Sequence, residues 1–312
     1  MCANFKKVCS KKGGSQMSMS INTQEQTYIK PSTGSIIGGV VAGAAVNKMT
    51  GIPTQLIQAQ IMKKMGSISS SLSEDEFVKV GKAVTDTIKN SGLEAKGVGI
   101  VKATSENAEE IAKILSKEFD KGVLKLLPEK VKKFIGDIYS SIFTSGKNAC
   151  YAFKSKKIII PEKELGLAFF HEAGHAMNAN LSKFGKILQK CRPMTILAIP
   201  IALIALLKTK KAPGEEPKNG MDKTTTFIKN NAGKLTFAAF LPMIIEEGMA
   251  TIKGNKYAKN LLSPELAKKV AKTNALGFST YVLMATLSGL GIYLGTKVKD
   301  SIASKKLATE SK

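Results

Sequence analysis

The sequence predicts an α+β fold that is mostly helical, contains a small sheet and is combined with transmembrane helices. Three observations support this prediction. Residues 72–145 show amphipathic helical spacing interrupted by one short β-prone run. Two more β-prone runs follow within residues 149–160, and the C-terminal half contains long segments without charge. A chain of 312 residues can bury a substantial hydrophobic core, as one large domain or two modest ones.

The charge is strongly positive, with 47 basic and 24 acidic residues, yet the chain has a single arginine, Arg192. Proteins that bind phosphate usually use the bidentate guanidinium of arginine, so we expect no nucleic-acid partner. The lysine excess instead fits compositional drift or attraction to a membrane surface. The four cysteines form no Cys-x-x-Cys pair, which argues against a cysteine zinc site or a disulfide framework and favours a reducing compartment.

The N-terminal segment is polar over residues 1–33 and lacks the layout of a cleavable secretory signal, so we predict a flexible tail. Residues 34–47 carry no charge and are rich in glycine and alanine. The uncharged stretch runs from Pro31 to Asn47, its 17 residues are at the lower limit for a membrane-spanning helix, and the small residues suit close helix contact. This segment is therefore a candidate membrane helix, with a glycine-rich loop or a short buried helix as the alternative.

The region after residue 72 contains the helices and strands expected of a soluble domain. An acidic run after Ser73 marks a helix start, and apolar residues then recur at helical spacing. The predicted helices begin at Ser73, Ser105 and Pro128, and the predicted strands are Gly97–Val101, Ala149–Phe153 and Lys157–Ile160. The last two strands form a hairpin, and we expect Pro161 to end it and to start the next helix.

Three uncharged runs characterise the C-terminal half. Met194–Leu207 has 14 residues, a length between that of a strand and that of a membrane span, and Phe237–Ile245 is shorter. With a polar loop over residues 208–234 between them, the two runs would form a hairpin that leaves the membrane and returns to the same side. Thr273–Thr296 has 24 residues bounded by lysines, which predicts a membrane helix followed by a solvated tail over residues 297–312.

The two histidines of the chain, His171 and His175, lie four residues apart, and Glu172 follows the first. On a helix this H-E-x-x-H spacing places both imidazoles on one face, one turn apart, where they can hold one zinc ion. Glu172 lies about 100° around the helix axis, within reach of a zinc-bound water as general base. Gly174 would let another backbone approach this helix closely. The alternative is a pair of histidines that cap or pack a buried helix.

A catalytic zinc ion needs a third protein ligand and one open position. Since the chain has no third histidine, we expect a carboxylate from a second helix. Glu246 and Glu247, some 70 residues downstream, end an apolar run in which unpaired carboxylates are costly. Neighbouring residues on a helix point about 100° apart, so only one of the two can coordinate the metal. The alternative for either acid is a solvated helix end just outside the membrane.

Several features together resemble the membrane-bound gluzincin peptidases, which include the HtpX-type heat-shock proteases and the CAAX prenyl proteases. In that family an Asn-Ala pair, a β-hairpin and an acidic helix start precede H-E-x-x-H, and here Asn148-Ala149, Ile158–Ile160 and Glu162–Leu165 occur in that order. The family then has a hydrophobic hairpin and a helix with Glu-x-x-Ala-Asp, whose Glu is the third ligand. Residues 247–251 are similar to that element, which implies Glu247 as the third ligand and leaves Glu246 as the alternative.

Two departures from the family pattern concern groups around the metal. Thr251 stands where the family has an Asp that supports a zinc-binding histidine, and no downstream histidine remains to stabilise an oxyanion. Tyr257 or Arg192 could supply that donor. The resemblance also implies that Ile158–Ile160 is an edge strand above the cleft, to which a substrate could add a strand.

The resemblance implies a zincin-like catalytic domain at residues 72–190, and a hydrophobic hairpin with the third-ligand helix at residues 193–253. We therefore expect a membrane-associated zinc metalloendopeptidase that uses His171, His175 and Glu247 as metal ligands and Glu172 as base. The expected partners are unfolded or membrane-associated polypeptide substrates and membrane lipid, and the expected location is the cell (inner) membrane. The alternatives are a non-catalytic membrane protein with a structural or vestigial zinc site, and a lysine-rich membrane-surface scaffold.

Overall fold

A computed structural model describes residues 56–119, 128–144, 149–161, 167–208 and 216–310. In this part of the chain the fold is mostly helical with one small sheet. The helices are α1 (residues 56–70), α2 (Glu74–Asn90), α3 (Ala108–Ser116), α4 (Glu129–Thr144), α5 (Phe169–Leu181), α6 (Lys183–Cys191), α7 (Ala198–Leu207), α8 (Gly220–Asn230), α9 (Ala232–Leu261) and α10 (Pro264–Glu310), and the strands are β1 (Gly99–Ala103), β2 (Cys150–Ala152) and β3 (Lys157–Pro161). The predicted tail at residues 1–33, the candidate membrane helix at 34–47, Asn148 and the acidic segment at 162–165 lie outside the described residues.

Local signals set the start of α2 where the sequence predicts it. The hydroxyl of Ser73 accepts a hydrogen bond from the backbone of Glu76, whose carboxylate in turn accepts one from the backbone of Ser73. This reciprocal capping satisfies two backbone donors that a helix N-terminus otherwise leaves without a partner. The predicted helices at α3 and α4 and the three predicted strands are also confirmed, with bounds shifted by a few residues.

The sheet has the strand order β1-β3-β2, so β3 is its central strand. Strand β3 pairs in parallel with β1 and antiparallel with β2. Ile158 and Ile160 pack on one face against α2 and α5, and Ile159 packs on the other face against α3. An isoleucine run buried on both faces is what a central strand requires. The expectation that Ile158–Ile160 forms an edge strand is therefore wrong.

The predicted helix start at Pro161 is also wrong. Pro161 still belongs to β3, where it pairs with Ala103, and α5 begins at Phe169. Proline has no N–H group to donate to a ladder, which is consistent with the end of the strand at Pro161. The strand thus ends where the sequence predicts, but the helix carrying the two histidines is shorter than expected.

Three stretches of the described residues are long and apolar enough to cross a membrane, namely Lys183–Leu207, Ala232–Leu261 and Pro264–Ser304. The apolar side chains of α7 point outwards, with Ile199 61% exposed and Leu203 52% exposed, as a lipid-facing helix requires. Helices α9 and α10 approach closely at Gly233, where an added Cβ atom would lie 2.7 Å from the carbonyl oxygen of Gly289. The absence of a side chain at Gly233 allows this contact. These stretches contain the uncharged runs that predict the hairpin and the C-terminal membrane helix.

Two segments predicted as loop or tail are helical. Residues 220–230 of the expected polar loop form α8, whose N-terminus is capped by the side chain of Asn219. Residues 297–310 of the expected solvated tail continue α10, and Lys299 there is buried and donates hydrogen bonds to the carbonyl oxygens of Ala205 and Lys208 at 2.8 and 2.6 Å. Lys299 of α10 therefore satisfies carbonyl groups that the C-terminal end of α7 leaves unpaired, and these hydrogen bonds fix α10 against α7.

Candidate metal centre

Helices α5 and α9 cross with their backbones in contact, and two glycines allow this. A Cβ atom at Gly174 would lie 2.7 Å from the Cα atom of Ala250, and one at Gly254 would lie 2.6 Å from the carbonyl carbon of Phe170. Neither position has room for a side chain. The close approach expected at Gly174 is confirmed, and it brings the histidine face of α5 onto the acidic residues of α9.

Three buried groups converge at this crossing. The Nε2 atoms of His171 and His175 lie 2.9 and 3.3 Å from Oε2 of Glu247, and 3.0 Å from each other. Glu247 has no exposed surface. Two imidazole nitrogens and one carboxylate oxygen aimed at a single point form a donor set that zinc accepts, so His171, His175 and Glu247 can hold a metal ion.

Glu246 supports His175 from the opposite side of the imidazole ring. Its Oε1 atom lies 2.9 Å from Nδ1 of His175 and accepts hydrogen bonds from the amides of Asn178 and Gln189, each at 2.9 Å. A carboxylate on the far nitrogen of a ligating histidine fixes its tautomer and orientation. The two neighbouring acids therefore have different positions, one at the converging histidine nitrogens and one behind them.

Thr251 takes the corresponding place behind His171. Its hydroxyl lies 3.2 Å from Nδ1 of His171, one helical turn beyond Glu247 on α9. The hydroxyl can hold this nitrogen by accepting its proton in a hydrogen bond. Each histidine thus has a partner on Nδ1 that leaves Nε2 free to bind a metal.

The guanidinium of Arg192 contacts both acids. It donates from Nη1 to Oε2 of Glu246 at 2.7 Å and from Nη2 to Oε1 of Glu247 at 2.6 Å. Tyr257, the other residue considered as a donor from the sequence, packs against the hydrophobic core instead and lies about 15 Å along α9 from Glu247 by helix rise. The structure therefore brings Arg192 to the site and not Tyr257.

Three residues at the site were not predicted from the sequence. Asn178 and Gln189 hold Glu246, and Tyr281 of α10 interacts electrostatically with Glu247. Asn178 has a usable signal, because it is a polar residue three positions after His175, about one turn further along the same helix. Gln189 and Tyr281 have none, since only the packing of α6 and α10 brings them to the acids.

Glu172 lies beside the three converging groups, partly exposed, next to the edge strand β2. Burial raises the pKa of its carboxyl group above the ordinary value, and a hydrogen bond from the backbone N–H of Tyr151 opposes this rise. The pKa of His175 is also shifted, because burial lowers it but the carboxylates of Glu247 and Glu246 outweigh burial and raise it to about 10. A base of raised pKa next to a metal-binding face is the arrangement that water activation needs.

Comparison of the chain with family models, with curated proteins and with solved structures finds no match.

Proposed function

We propose that this protein is a membrane-associated zinc metalloendopeptidase. The observation that supports the proposal most is the convergence of His171, His175 and Glu247, with Glu172 next to them on α5. Only these three donors form such a group in the described residues, whereas a structural zinc site is closed by four. Three protein ligands leave a position for water, which a hydrolase requires.

The side chains around the metal ligands have separate roles in this proposal. Zinc bound by His171, His175 and Glu247 would supply a Lewis acid and a water of lowered pKa. Glu172 would take the proton of that water as it attacks a peptide carbonyl, and would pass the proton to the departing amine. Glu246 and Thr251 hold the two imidazoles with Nε2 directed at the centre, which reduces the reorganisation needed when the metal binds.

The membrane location in the proposal is supported by the three stretches of the described residues that are long and apolar enough to cross a membrane. Between His175 and Glu247 the described residues contain one whole candidate span, Lys183–Leu207, and the first half of α9, so a chain that crosses the membrane through the first would return through the second and bring the ligands to one side. By the family resemblance, the substrates are unfolded or membrane-associated polypeptides and the location is the cell (inner) membrane. Membrane lipid is the expected partner of the outward-facing apolar side chains of α7.

The test combines metal content with hydrolysis. We expect detergent-purified protein to carry one zinc per chain by mass spectrometry, and the double variant His171→Ala/His175→Ala to carry none. Glu172→Gln keeps the shape of the side chain and removes the base, so it should retain zinc and lose hydrolysis of casein by roughly 100-fold or more. Loss of zinc in Glu172→Gln would contradict its role as a base.

Two outcomes would support the alternatives. A zinc ion closed by a fourth protein ligand, together with no hydrolysis in the wild type, indicates a structural site. Unchanged metal content and stability in the double histidine variant indicate a membrane-surface scaffold in which the motif occurs by chance.

A further inference from the structure

Arg192 is the single arginine among the 47 basic residues of the chain, and it lies at the metal centre. All other basic positions are lysine. Arginine differs from lysine by presenting a rigid planar fork of donors that can bind two oxygen atoms at once. The guanidinium uses this property here, because it bonds one oxygen of Glu246 and one oxygen of Glu247.

The four carboxylate oxygens of the two acids are divided between inner and outer partners. The inner oxygens, Oε2 of Glu247 and Oε1 of Glu246, face the histidines. The outer oxygens, Oε1 of Glu247 and Oε2 of Glu246, both face Arg192. Glu247 can therefore offer a metal ion one oxygen while the other is held by the guanidinium.

We propose that Arg192 is a positioning residue that keeps Glu247 a one-oxygen ligand. If Oε1 of Glu247 were free, the carboxylate could turn and bind the metal through both oxygens. Two imidazoles and two carboxylate oxygens would then fill the four positions that zinc prefers, and no position would remain for water. Arg192 thus protects the open coordination position. This inference depends on the proposed metal site but not on peptide hydrolysis.

The location of Arg192 fixes the direction of its side chain. It begins the 3₁₀ turn Arg192–Leu197 that joins α6 to α7, and Pro193 follows it. The backbone of Arg192 is helical, with φ −50° and ψ −40°, and continues directly from α6, so the end of this helix fixes the point from which the guanidinium reaches the acids. Both acids are fully buried, whereas the side chain of Arg192 is 33% exposed, so the positive charge closes the outer side of the acid pair.

The test measures how Glu247 binds zinc in Arg192→Gln and Arg192→Lys. The control is Lys190→Gln, which removes a positive charge from an exposed position two residues away. X-ray absorption at the zinc edge reports the distance from the metal to the carboxylate carbon, which is shorter when both oxygens coordinate. We expect the shorter distance in Arg192→Gln and the wild-type distance in Lys190→Gln. Arg192→Lys should give an intermediate distance, because one ammonium group cannot bind two carboxylate oxygens as the guanidinium fork does.

A second readout addresses the open position directly. Azide binds a vacant position on cobalt and changes the visible spectrum, so cobalt-substituted protein is titrated with azide. We expect Arg192→Gln to bind azide about tenfold more weakly than wild type, the lower end of what loss of a hydrogen-bond partner of a metal ligand costs.

The inference is overturned if Arg192→Gln shows the same distance from the metal to the carboxylate carbon, and the same azide affinity, as the wild type. If Arg192→Gln loses its helical circular dichroism, Arg192→Lys decides in the same way, and wild-type values there overturn the inference. Failure of the proposed function is a separate result, because wild-type protein that binds zinc but cleaves no peptide leaves both measurements intact. Wild-type protein that binds no zinc overturns both proposals.

Discussion

The glycine inside the metal-binding motif provides the sharpest test of how the site is built. In Gly174→Ala the added Cβ atom would lie 2.7 Å from the Cα atom of Ala250, whereas ordinary van der Waals contact begins at 3.4 Å. The added Cβ atom and the backbone of Ala250 are both fixed to their helices, so neither can rotate away as the end of a flexible side chain could. Helices α5 and α9 must therefore separate by about 0.7 Å or more.

This separation acts directly on metal binding. His171 and His175 lie on α5 and Glu247 on α9, so the third ligand moves away from the other two by a similar distance. Zinc tolerates deviations of about 0.2 Å in its ligand distances. The substitution also costs about 1–3 kcal/mol through overpacking, against a gain of about 1 kcal/mol from replacing glycine by alanine within a helix. We expect net destabilisation and zinc affinity at least tenfold weaker.

The assay is a zinc titration against a competing chelator, with thermal unfolding of the metal-free protein measured beside it. Gly254→Ala should behave in the same way, because its Cβ atom would overlap the backbone of Phe170 from the other helix. The matched control is Gly291→Ala on α10, where no other element in the described part of the chain comes within 4 Å of the added Cβ. Wild-type zinc affinity in Gly174→Ala would refute the backbone contact as the origin of the ligand geometry.

The remaining predictions concern the acids and His175. Glu247→Gln should lose zinc, whereas Glu246→Gln should retain it with affinity roughly 10–100-fold weaker; equal losses in a chelator titration would contradict their different roles. In the metal-free protein the raised pKa of His175, about 10, keeps its imidazole protonated at pH 7. Zinc binding should therefore release about one proton per chain, measured by calorimetry in buffers of different ionisation enthalpy. Without metal, protonated His175 contributes its full stabilisation below pH 6.5, the pKa of its imidazole in the unfolded chain, and this stabilisation is lost as the pH rises through about 10. Measuring the free energy of unfolding against pH would detect the loss.

Local patterns in the sequence predicted the elements whose cause is itself local. The start of α2 follows from Ser73 and Glu76, which cap each other over one turn. The spacing of His171 and His175 likewise needs only a helix to place both rings on one face. The apolar runs predicted membrane-length helices because length and composition alone decide that property.

The predictions that were wrong concern residues whose structure depends on partners far away in the sequence. Ile158–Ile160 could be a central or an edge strand by composition, and the pairing with β1, more than 50 residues earlier, makes it central. Lys299 carries a charge that suggests a solvated tail, yet it caps α7 across the fold. A lysine with carbonyl partners at a helix end can be buried, but nothing near it in the sequence shows that the partners exist.

The choice between Glu246 and Glu247 shows the same limit at the metal centre. Two adjacent acids on a helix point about 100° apart, so either could face the histidines, and helical periodicity alone does not select one. The rotation of α9 decides, and that rotation is set by Gly174 and Gly254, which allow only one close approach of the two helices. With Glu247 at the centre, Glu246 necessarily points behind His175, where Asn178 and Gln189 receive it. The second acid is therefore not a spare ligand, because the geometry that allows Glu247 to hold a metal ion places Glu246 where it supports His175.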